Sequence, residues 1–135
     1  MLVLLPFTMS KIAALLGCRV LVAEDESVIA LGLEDALAGF GCEVLGPVAR
    51  PSDVLKIVER EHVDGALLDV NLRGEQIFSV LPAILARGIP VIITSGYGDL
   101  TLYPEEFRHL PRVTKPFDFI RLERLCVTVF GPSKA

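Results

Sequence analysis

Four groups of polar residues follow short apolar segments of the chain, and their side chains could together do phosphoryl chemistry. In chain order they are Glu24-Asp25-Glu26, Asp69 with Asn71, Thr94-Ser95-Gly96, and Lys115-Pro116. Two carboxylates about 4 Å apart repel each other by roughly 4 kcal/mol at an effective dielectric constant near 20. They stay ionised together only beside a cation, and hard oxygen ligands of this kind suit Mg²⁺. Such a site could hold an acyl phosphate formed when Asp69 attacks a phosphorus atom, because the cation and a lysine would neutralise the transferring group.

Short apolar runs predict the strands that would position these groups, since strands covered on both faces are apolar throughout. The five predicted strands are Val20–Ala23, Glu43–Val48, Ala66–Leu68 ending at Asp69, Val91–Thr94, and a brief strand at Val113. Apolar residues spaced by three and four predict helices between them. Pro82 lies within the third helical pattern, so that helix kinks or starts late, near Ser79. Pro104 can start only a short fourth helix, and the last helix is predicted over Phe117–Val129.

Five βα units predict an α/β fold in which helices cover both faces of a parallel sheet. Right-handed crossovers leave few topologies, of which we expect the flavodoxin-like (βα)5 order 2-1-3-4-5. Strands one and three are then neighbours, and the four polar groups meet at the carboxyl edge of the sheet. A single acidic residue after a strand is often only a helix start, so Glu26 alone predicts nothing.

The composition of the chain argues against several classes of function. The chain has 135 residues, of which 52% are hydrophobic, and a net charge of −4. This predicts one domain and gives no support to nucleic-acid binding, which favours a basic patch. Three widely spaced cysteines (Cys18, Cys42 and Cys126) predict free thiols in a reducing compartment rather than a zinc site. We therefore expect a cytoplasmic protein.

The first residues, MLVLLPFTMSKIAALLG, look like a signal peptide or a membrane anchor. They lack a basic start, and Pro6 and Lys11 interrupt the run before the roughly 18 apolar residues that a membrane span needs. We expect an N-terminal extension over residues 1–17, a domain over 18–130 and a C-terminal tail over 131–135. The extension is either optional, with translation starting at Met9, or an amphipathic helix that packs on a partner or a second copy.

Four strings, in order, resemble the receiver domain of bacterial two-component response regulators. VLVAEDE resembles the family's first strand and acidic pair, LLDVNLRGE the phospho-acceptor strand, PVIITSGYGD the switch strand, and VTKPF the lysine-proline turn. The resemblance runs from Arg19 to Val129. It implies a phosphorylation-dependent signalling switch with Mg²⁺ as cofactor. Its only reactions would be Mg²⁺-dependent self-phosphorylation from a phosphodonor and self-dephosphorylation.

The resemblance also implies a role for each matching position at the metal site. Asp69 would be the phospho-acceptor and a metal ligand. Asp25 would bind Mg²⁺ directly and Glu24 through water, while the backbone carbonyl of Asn71 would complete the metal shell.

On the other side of the site, the resemblance implies phosphoryl-binding and switch residues. Ser95 matches the hydroxyl that turns to the phosphoryl group, next to Gly96, and Lys115 is its charge partner. The Lys115-Pro116 bond is expected to be cis, as is usual in the family.

Three positions depart from the family pattern. Arg112 stands where the family has its switch aromatic, and Arg73 stands where a proline is common. The acidic pair is Glu-Asp rather than Asp-Asp, so Glu24 has a longer reach with the same charge. Tyr97, two residues after Ser95, would either shield or admit the water that hydrolyses the phosphoryl group, and a bulky ring should slow that hydrolysis.

The strings NLRGE and SGYGD, with only residues 130–135 after Val129, look most like stand-alone receivers. The implied partners are a sensor histidine kinase or a histidine phosphotransfer protein, and a downstream protein target. A homodimer is a further possibility, as is a phosphate-sink role, whereas nucleic acid and membrane are not expected.

Two other classes of protein share parts of this pattern with the receiver domains. A phosphatase of the haloacid dehalogenase type also forms an aspartyl phosphate, but it needs an acid two residues after the nucleophile, where Asn71 stands. A flavodoxin-like electron carrier would hold a flavin phosphate on hydroxyls and backbone amides, and Glu24-Asp25-Glu26 would repel that phosphate.

Overall fold

The structure is a computed structural model that describes residues 14–96 and 103–132. The strands of the described residues are β1 Arg19–Ala23, β2 Glu43–Val48, β3 Gly65–Asp69, β4 Asn71–Leu72, β5 Glu75–Gln76, β6 Val91–Ser95 and β7 Arg112–Thr114. The α-helices are α1 Ser27–Gly39, α2 Pro51–Arg60, α3 Leu81–Ala86 and α4 Phe119–Phe130. Short 3-10 turns occupy Ile77–Ser79 and Glu105–Phe107.

The main sheet has five parallel strands in the order β2-β1-β3-β6-β7. These are the five predicted strands, so the expected order 2-1-3-4-5 is confirmed. The central strand β3 is buried along its whole length, because helices cover both faces of the sheet.

Each face of the sheet has its own hydrophobic core. Alternation along β3 sends Leu68 to a core shared with α2 and α3, and Leu67 to a core shared with α1 and α4. Leu15, which falls within the predicted extension, is buried in the second core. Residues 1–13 and 133–135 of the predicted extension and tail lie outside the described residues.

Local signals decide where three elements begin. The third helix starts late, at Leu81, so that Pro82 lies in its first turn, where its missing amide costs no hydrogen bond. After Pro104 the chain forms a 3-10 turn rather than an α-helix. The last helix begins at Phe119 instead of Phe117, because the Asp118 side chain accepts hydrogen bonds from the amides of the first turn.

A small antiparallel hairpin, β4–β5, follows β3 and was not predicted from the sequence. Its two turn residues, Arg73 and Gly74, have φ angles of 51° and 83°. Positive φ at both central residues is what a two-residue hairpin turn of type I′ requires. The hairpin lies directly beside the carboxyl edge of the main sheet.

Across residues 14–96 and 103–132, every helix is too short or too polar to cross a membrane.

Candidate functional site

Three carboxylates meet at the carboxyl edge of the sheet. Because β1 and β3 are neighbours and Ala23 pairs with Leu68, the following residues, Glu24 and Asp69, are side by side. One carboxylate oxygen from each of Glu24, Asp25 and Asp69 lies within 4.8 Å of the others. The predicted convergence of the strand ends is therefore present in the structure.

Lys115 bridges two of these carboxylates. Its Nζ lies 2.7 Å from Asp69 Oδ2 and 2.7 Å from Glu24 Oε1. The lysine side chain is 16% exposed, and the two carboxylate side chains are 5% and 0% exposed. The backbone amide of Lys115 donates to the Ser95 carbonyl at 2.8 Å, which fixes the lysine to the end of β6. The Lys115-Pro116 bond is cis, as expected.

Burial and pairing set the charges of this cluster. Burial raises the pKa of Glu24 to about 7, although Lys115 and the amide of Glu26 oppose the shift. Burial also raises the pKa of Asp69, again against the effect of Lys115. Burial would lower the pKa of Lys115, but the two carboxylates outweigh it and hold that pKa above its ordinary value. One ammonium is therefore shared by two buried acids, one of which titrates near neutral pH.

Asp25 is held differently, at the open side of the cluster. Its Oδ2 accepts a hydrogen bond of 2.9 Å from the backbone amide of Arg73, in the turn of the β4–β5 hairpin. Burial would raise the pKa of Asp25, but this amide and the neighbouring groups outweigh burial and lower the pKa. The common family proline at position 73 could not make this contact, because proline has no amide hydrogen. The sequence reasoning missed this contact, because the hairpin that creates it was not predicted.

A cavity of about 250 Å³ opens onto the carboxylates. Its walls are formed by Asp25, Glu26, Asp69, Asn71, Gly74, Gly96 and Lys115. A water molecule takes about 30 Å³ of liquid volume, so the cavity has room for a hydrated ion or a phosphoryl group. The oxygen-rich donor set suits Mg²⁺, which keeps several waters and takes one or two protein carboxylates.

Two more predicted residues lie at this edge. The backbone amide of Asn71 donates a hydrogen bond of 3.3 Å to Asp69 Oδ1. The side-chain oxygen of Asn71 accepts a hydrogen bond from the backbone amide of Gly74. Ser95 is buried and follows Thr94, the residue paired with Asp69 across β3 and β6. Ser95 is not among the residues that line the cavity; its neighbour Gly96 is.

The remaining predicted residues do not line the carboxylate cavity or cannot be placed. Pro116 lines an adjoining apolar groove between α1 and the start of α4, which shares Glu26, Gly96 and Lys115 with that cavity. Arg112 is exposed, with its guanidinium carbon 5.8 Å from the ring centre of Tyr103. Tyr97 lies outside the described residues.

Thr94 belongs to one of the four predicted polar groups, but sequence reasoning assigned no role to its side chain. The hydroxyl of Thr94 is buried and has no hydrogen-bond partner among the residues that the structure describes. Its register position beside Asp69 was predictable in outline from the strand order.

The chain is similar to several known proteins, which are all response regulators or their receiver domains. No family model matches the chain. SdrG from Sphingomonas melonis Fr1 is 34% identical, with a TM-score of 0.72 over 84% of this chain and 98% of that one. A BeF3-activated conformation of SdrG from Pseudomonas melonis Fr1 is 35% identical, with a TM-score of 0.69 over 82% and 94% of the two chains.

Response regulators named PhyR are also similar. The PhyR response regulator REC domain from Erythrobacter litoralis is 27% identical, with a TM-score of 0.73 over 89% of this chain and 96% of that one. Phyllosphere-induced regulator PhyR from Methylorubrum extorquens is 27% identical over 110 residues, which are 79% of this chain and 41% of the relative. The chain thus spans less than half the length of that curated relative. With its sheet order and its cluster of strand-end carboxylates, the chain belongs to the receiver domains of two-component response regulators.

Proposed function

We propose that this receiver domain accepts one phosphoryl group on the carboxylate of Asp69, in a reaction that needs Mg²⁺. A phosphorylation-dependent signalling switch is the function of the family. The observation that carries the assignment to this site is the position of Lys115 Nζ, 2.7 Å from both Asp69 and Glu24, with Asp25 in the same cluster.

Asp69 is the carboxylate best placed to be the nucleophile. It lies on the central strand of the sheet and lines the cavity together with Lys115 and Gly96. One of its oxygens would attack phosphorus, and the bond from phosphorus to the leaving group would break, with the electron pair going to the leaving group. The Lys115 ammonium would steady the negative charge on the transferring group.

The acidic pair would hold the metal in two ways. Asp25 has a lowered pKa and lines the cavity, so it suits direct binding of Mg²⁺. Glu24 already uses Oε1 for Lys115 and Oε2 for the amide of Glu26, which favours contact with the ion through water. The backbone carbonyl of Asn71 is the remaining proposed ligand. When bound, Mg²⁺ would neutralise charge on the phosphoryl oxygens.

The switch would act through Lys115. Phosphorylation converts the Asp69 carboxylate into a group with more charge and more acceptor oxygens, so the ion pairs of the ammonium must rearrange. The Lys115 amide is bonded to the Ser95 carbonyl, and a shift of the lysine would be passed to the end of β6. The Ser95 hydroxyl would turn to the phosphoryl group in the same change.

The proposed phosphodonor is a sensor histidine kinase or a histidine phosphotransfer protein, and the proposed readout is contact with a downstream protein. The similarity to a BeF3-activated conformation of SdrG supports phosphoryl uptake. A beryllofluoride group bound to a carboxylate has the tetrahedral shape and negative charge of a phosphoryl group. The proposed location of the protein is the cytoplasm.

Intact-protein mass spectrometry tests the proposal. The full chain is incubated with acetyl phosphate and Mg²⁺, alongside Asp69→Asn and the control Asp35→Asn, whose side chain is exposed on α1. We expect wild type and Asp35→Asn to gain one phosphoryl group that hydroxylamine removes, and Asp69→Asn to gain none. Excess EDTA should prevent the gain.

Equal uptake by Asp69→Asn, or uptake unaffected by EDTA, would refute the assignment. Continuous release of phosphate from acetyl phosphate without a lasting mass gain would instead indicate a phosphatase of the haloacid dehalogenase type.

A further inference from the structure

Two cysteines face each other at the amino edge of the sheet, the end opposite to the phosphorylation site. β1 and β2 are parallel with Arg19 paired to Glu43, so the preceding residues, Cys18 and Cys42, are also opposite each other. The amide of Glu43 donates to the Cys18 carbonyl at 2.9 Å. Neighbouring strands lie about 4.7–4.9 Å apart. Disulfides join residues whose Cα atoms are about 4.4–6.8 Å apart.

The side chains of this pair point to the same side of the sheet. Cys18 and Cys42 both belong to the core between the sheet, α1 and α4, where the Cys18 thiol also donates to the Phe130 carbonyl at 4.0 Å. A second backbone hydrogen bond of 2.9 Å, from Gly17 to Gly41, ties the two segments together just before the cysteines. No large movement of the backbone is therefore needed to bring the two sulfur atoms into contact.

The third cysteine differs from this pair. Cys18 and Cys42 are each 8% exposed, whereas Cys126 in α4 is completely buried. The hydrogen bond from Cys42 lowers the pKa of Cys18, and the same interaction raises the pKa of Cys42. Burial raises the pKa of Cys126 to about 12. The pair thus differs from Cys126 in exposure and in contact, and Cys18 is the thiol of the three whose pKa is lowered.

We propose that Cys18 and Cys42 are a redox-active thiol pair that a peroxide converts into an intramolecular disulfide. The Cys18 thiolate attacks one oxygen of hydrogen peroxide and becomes a sulfenic acid, and the other oxygen leaves as water after taking up a proton. The Cys42 sulfur then attacks the Cys18 sulfur and displaces the second oxygen as water. In total, two thiols and one peroxide give one disulfide and two waters. The residues of the phosphorylation site take no part in this reaction.

Peptide mapping of the full chain tests this proposal. Reduced protein is treated with hydrogen peroxide, the peroxide is removed with catalase, and the protein is denatured, alkylated with N-ethylmaleimide and digested with trypsin. Cleavage after Arg19 and Arg124 places the three cysteines on three different peptides. We expect a disulfide-linked pair of the Cys18 and Cys42 peptides, an alkylated Cys126 peptide, and recovery of all three thiols after dithiothreitol.

Two matched variants test whether the disulfide forms specifically between Cys18 and Cys42. Cys126→Ala should form the same bridge as wild type, and Cys42→Ala should form none. Three alkylated cysteines after oxidation, a bridge that includes Cys126, or a disulfide between two copies on a non-reducing gel would each overturn the proposal.

Discussion

At each edge of the sheet, one cationic side chain contacts two carboxylates, which are exposed at the amino edge and buried at the carboxyl edge. At the amino edge, Arg19 contacts Glu43 at 3.2 Å and Glu61 at 3.3 Å, and the two glutamates are 61% and 49% exposed. At the carboxyl edge, Lys115 contacts Glu24 and Asp69, which are almost fully buried. Strand β1 joins the two edges, since Arg19 begins it and Glu24 follows its end.

The difference shows what burial adds to an ion pair. Water screens the charges around Arg19, so those contacts contribute little to stability. Around Lys115 the side chains are largely buried, and two acids compete for one ammonium. The carboxyl edge is therefore the place where an added cation or phosphoryl group changes the energy most, and the predictions below contrast the two edges.

Removal of the cation should have the largest effect. Lys115→Met leaves two buried carboxylates without a counter-ion, so we expect a loss of about 3 kcal/mol of unfolding free energy at pH 8 without Mg²⁺. Arg19→Met should cost less than about 1 kcal/mol, because its partners are exposed. Urea unfolding of both variants measures the difference. Equal losses of unfolding free energy in the two variants would contradict the proposed difference between the two edges.

Mg²⁺ should stabilise the protein through the carboxyl edge alone. At a concentration of about 100 times Kd, the ion should add about 2.7 kcal/mol to the unfolding free energy. Asp25→Asn should lose most of this gain, while Glu43→Gln at the amino edge should keep it. Thermal unfolding with and without EDTA checks both variants, and a full Mg²⁺ effect in Asp25→Asn would contradict the assigned ligand.

Glu24 should contribute to the pH dependence of the stability of the metal-free protein, alongside Asp69, whose pKa burial also raises. The pKa of Glu24 rises on folding from 4.5 to about 7, so the native state holds a proton that the unfolded chain has released. Its contribution to stability is complete below pH 4.5 and is lost as the pH rises to about 7. We expect wild type to lose roughly 3 kcal/mol more than Glu24→Gln across this window. Glu61→Gln should follow wild type, and a Glu24→Gln curve that also follows wild type would count against the pKa shift.

The smallest expected effect concerns Thr94. Its buried hydroxyl has no hydrogen-bond partner among residues 14–96 and 103–132, so Thr94→Val should stabilise the protein by about 1 kcal/mol. Thr128→Val is the control, because the exposed Thr128 hydroxyl donates to the Arg124 carbonyl and its loss should change little. A destabilised Thr94→Val in denaturant titration would indicate a hydroxyl partner in the folded protein.

The strands and their order could be predicted because the signal lies in the residues themselves. β2 has the bounds predicted from the sequence, and β3 ends at Asp69, where a buried apolar run meets a charge. Parallel strands also bring their carboxyl ends to one edge, so the meeting of Asp69, Glu24 and Lys115 followed from the order alone.

The hairpin and the contacts that depend on it could not be predicted. Strands of two residues are too short to show a hydrophobic pattern. Arg73 also adopts a positive φ angle, which residues other than glycine rarely do. The hydrogen bond from the Arg73 amide to Asp25 follows from that turn. The start of α4 was misplaced by two residues because the capping role of Asp118 was overlooked.

The most direct test of the central claim is the identity of the phosphorylated residue. Wild-type protein is phosphorylated with acetyl phosphate and Mg²⁺, treated with sodium borohydride, which reduces an aspartyl phosphate to homoserine, and sequenced by tandem mass spectrometry. The account predicts homoserine at position 69 and nowhere else. Reduction at Asp25, or a borohydride-resistant phosphate on Ser95, would contradict it.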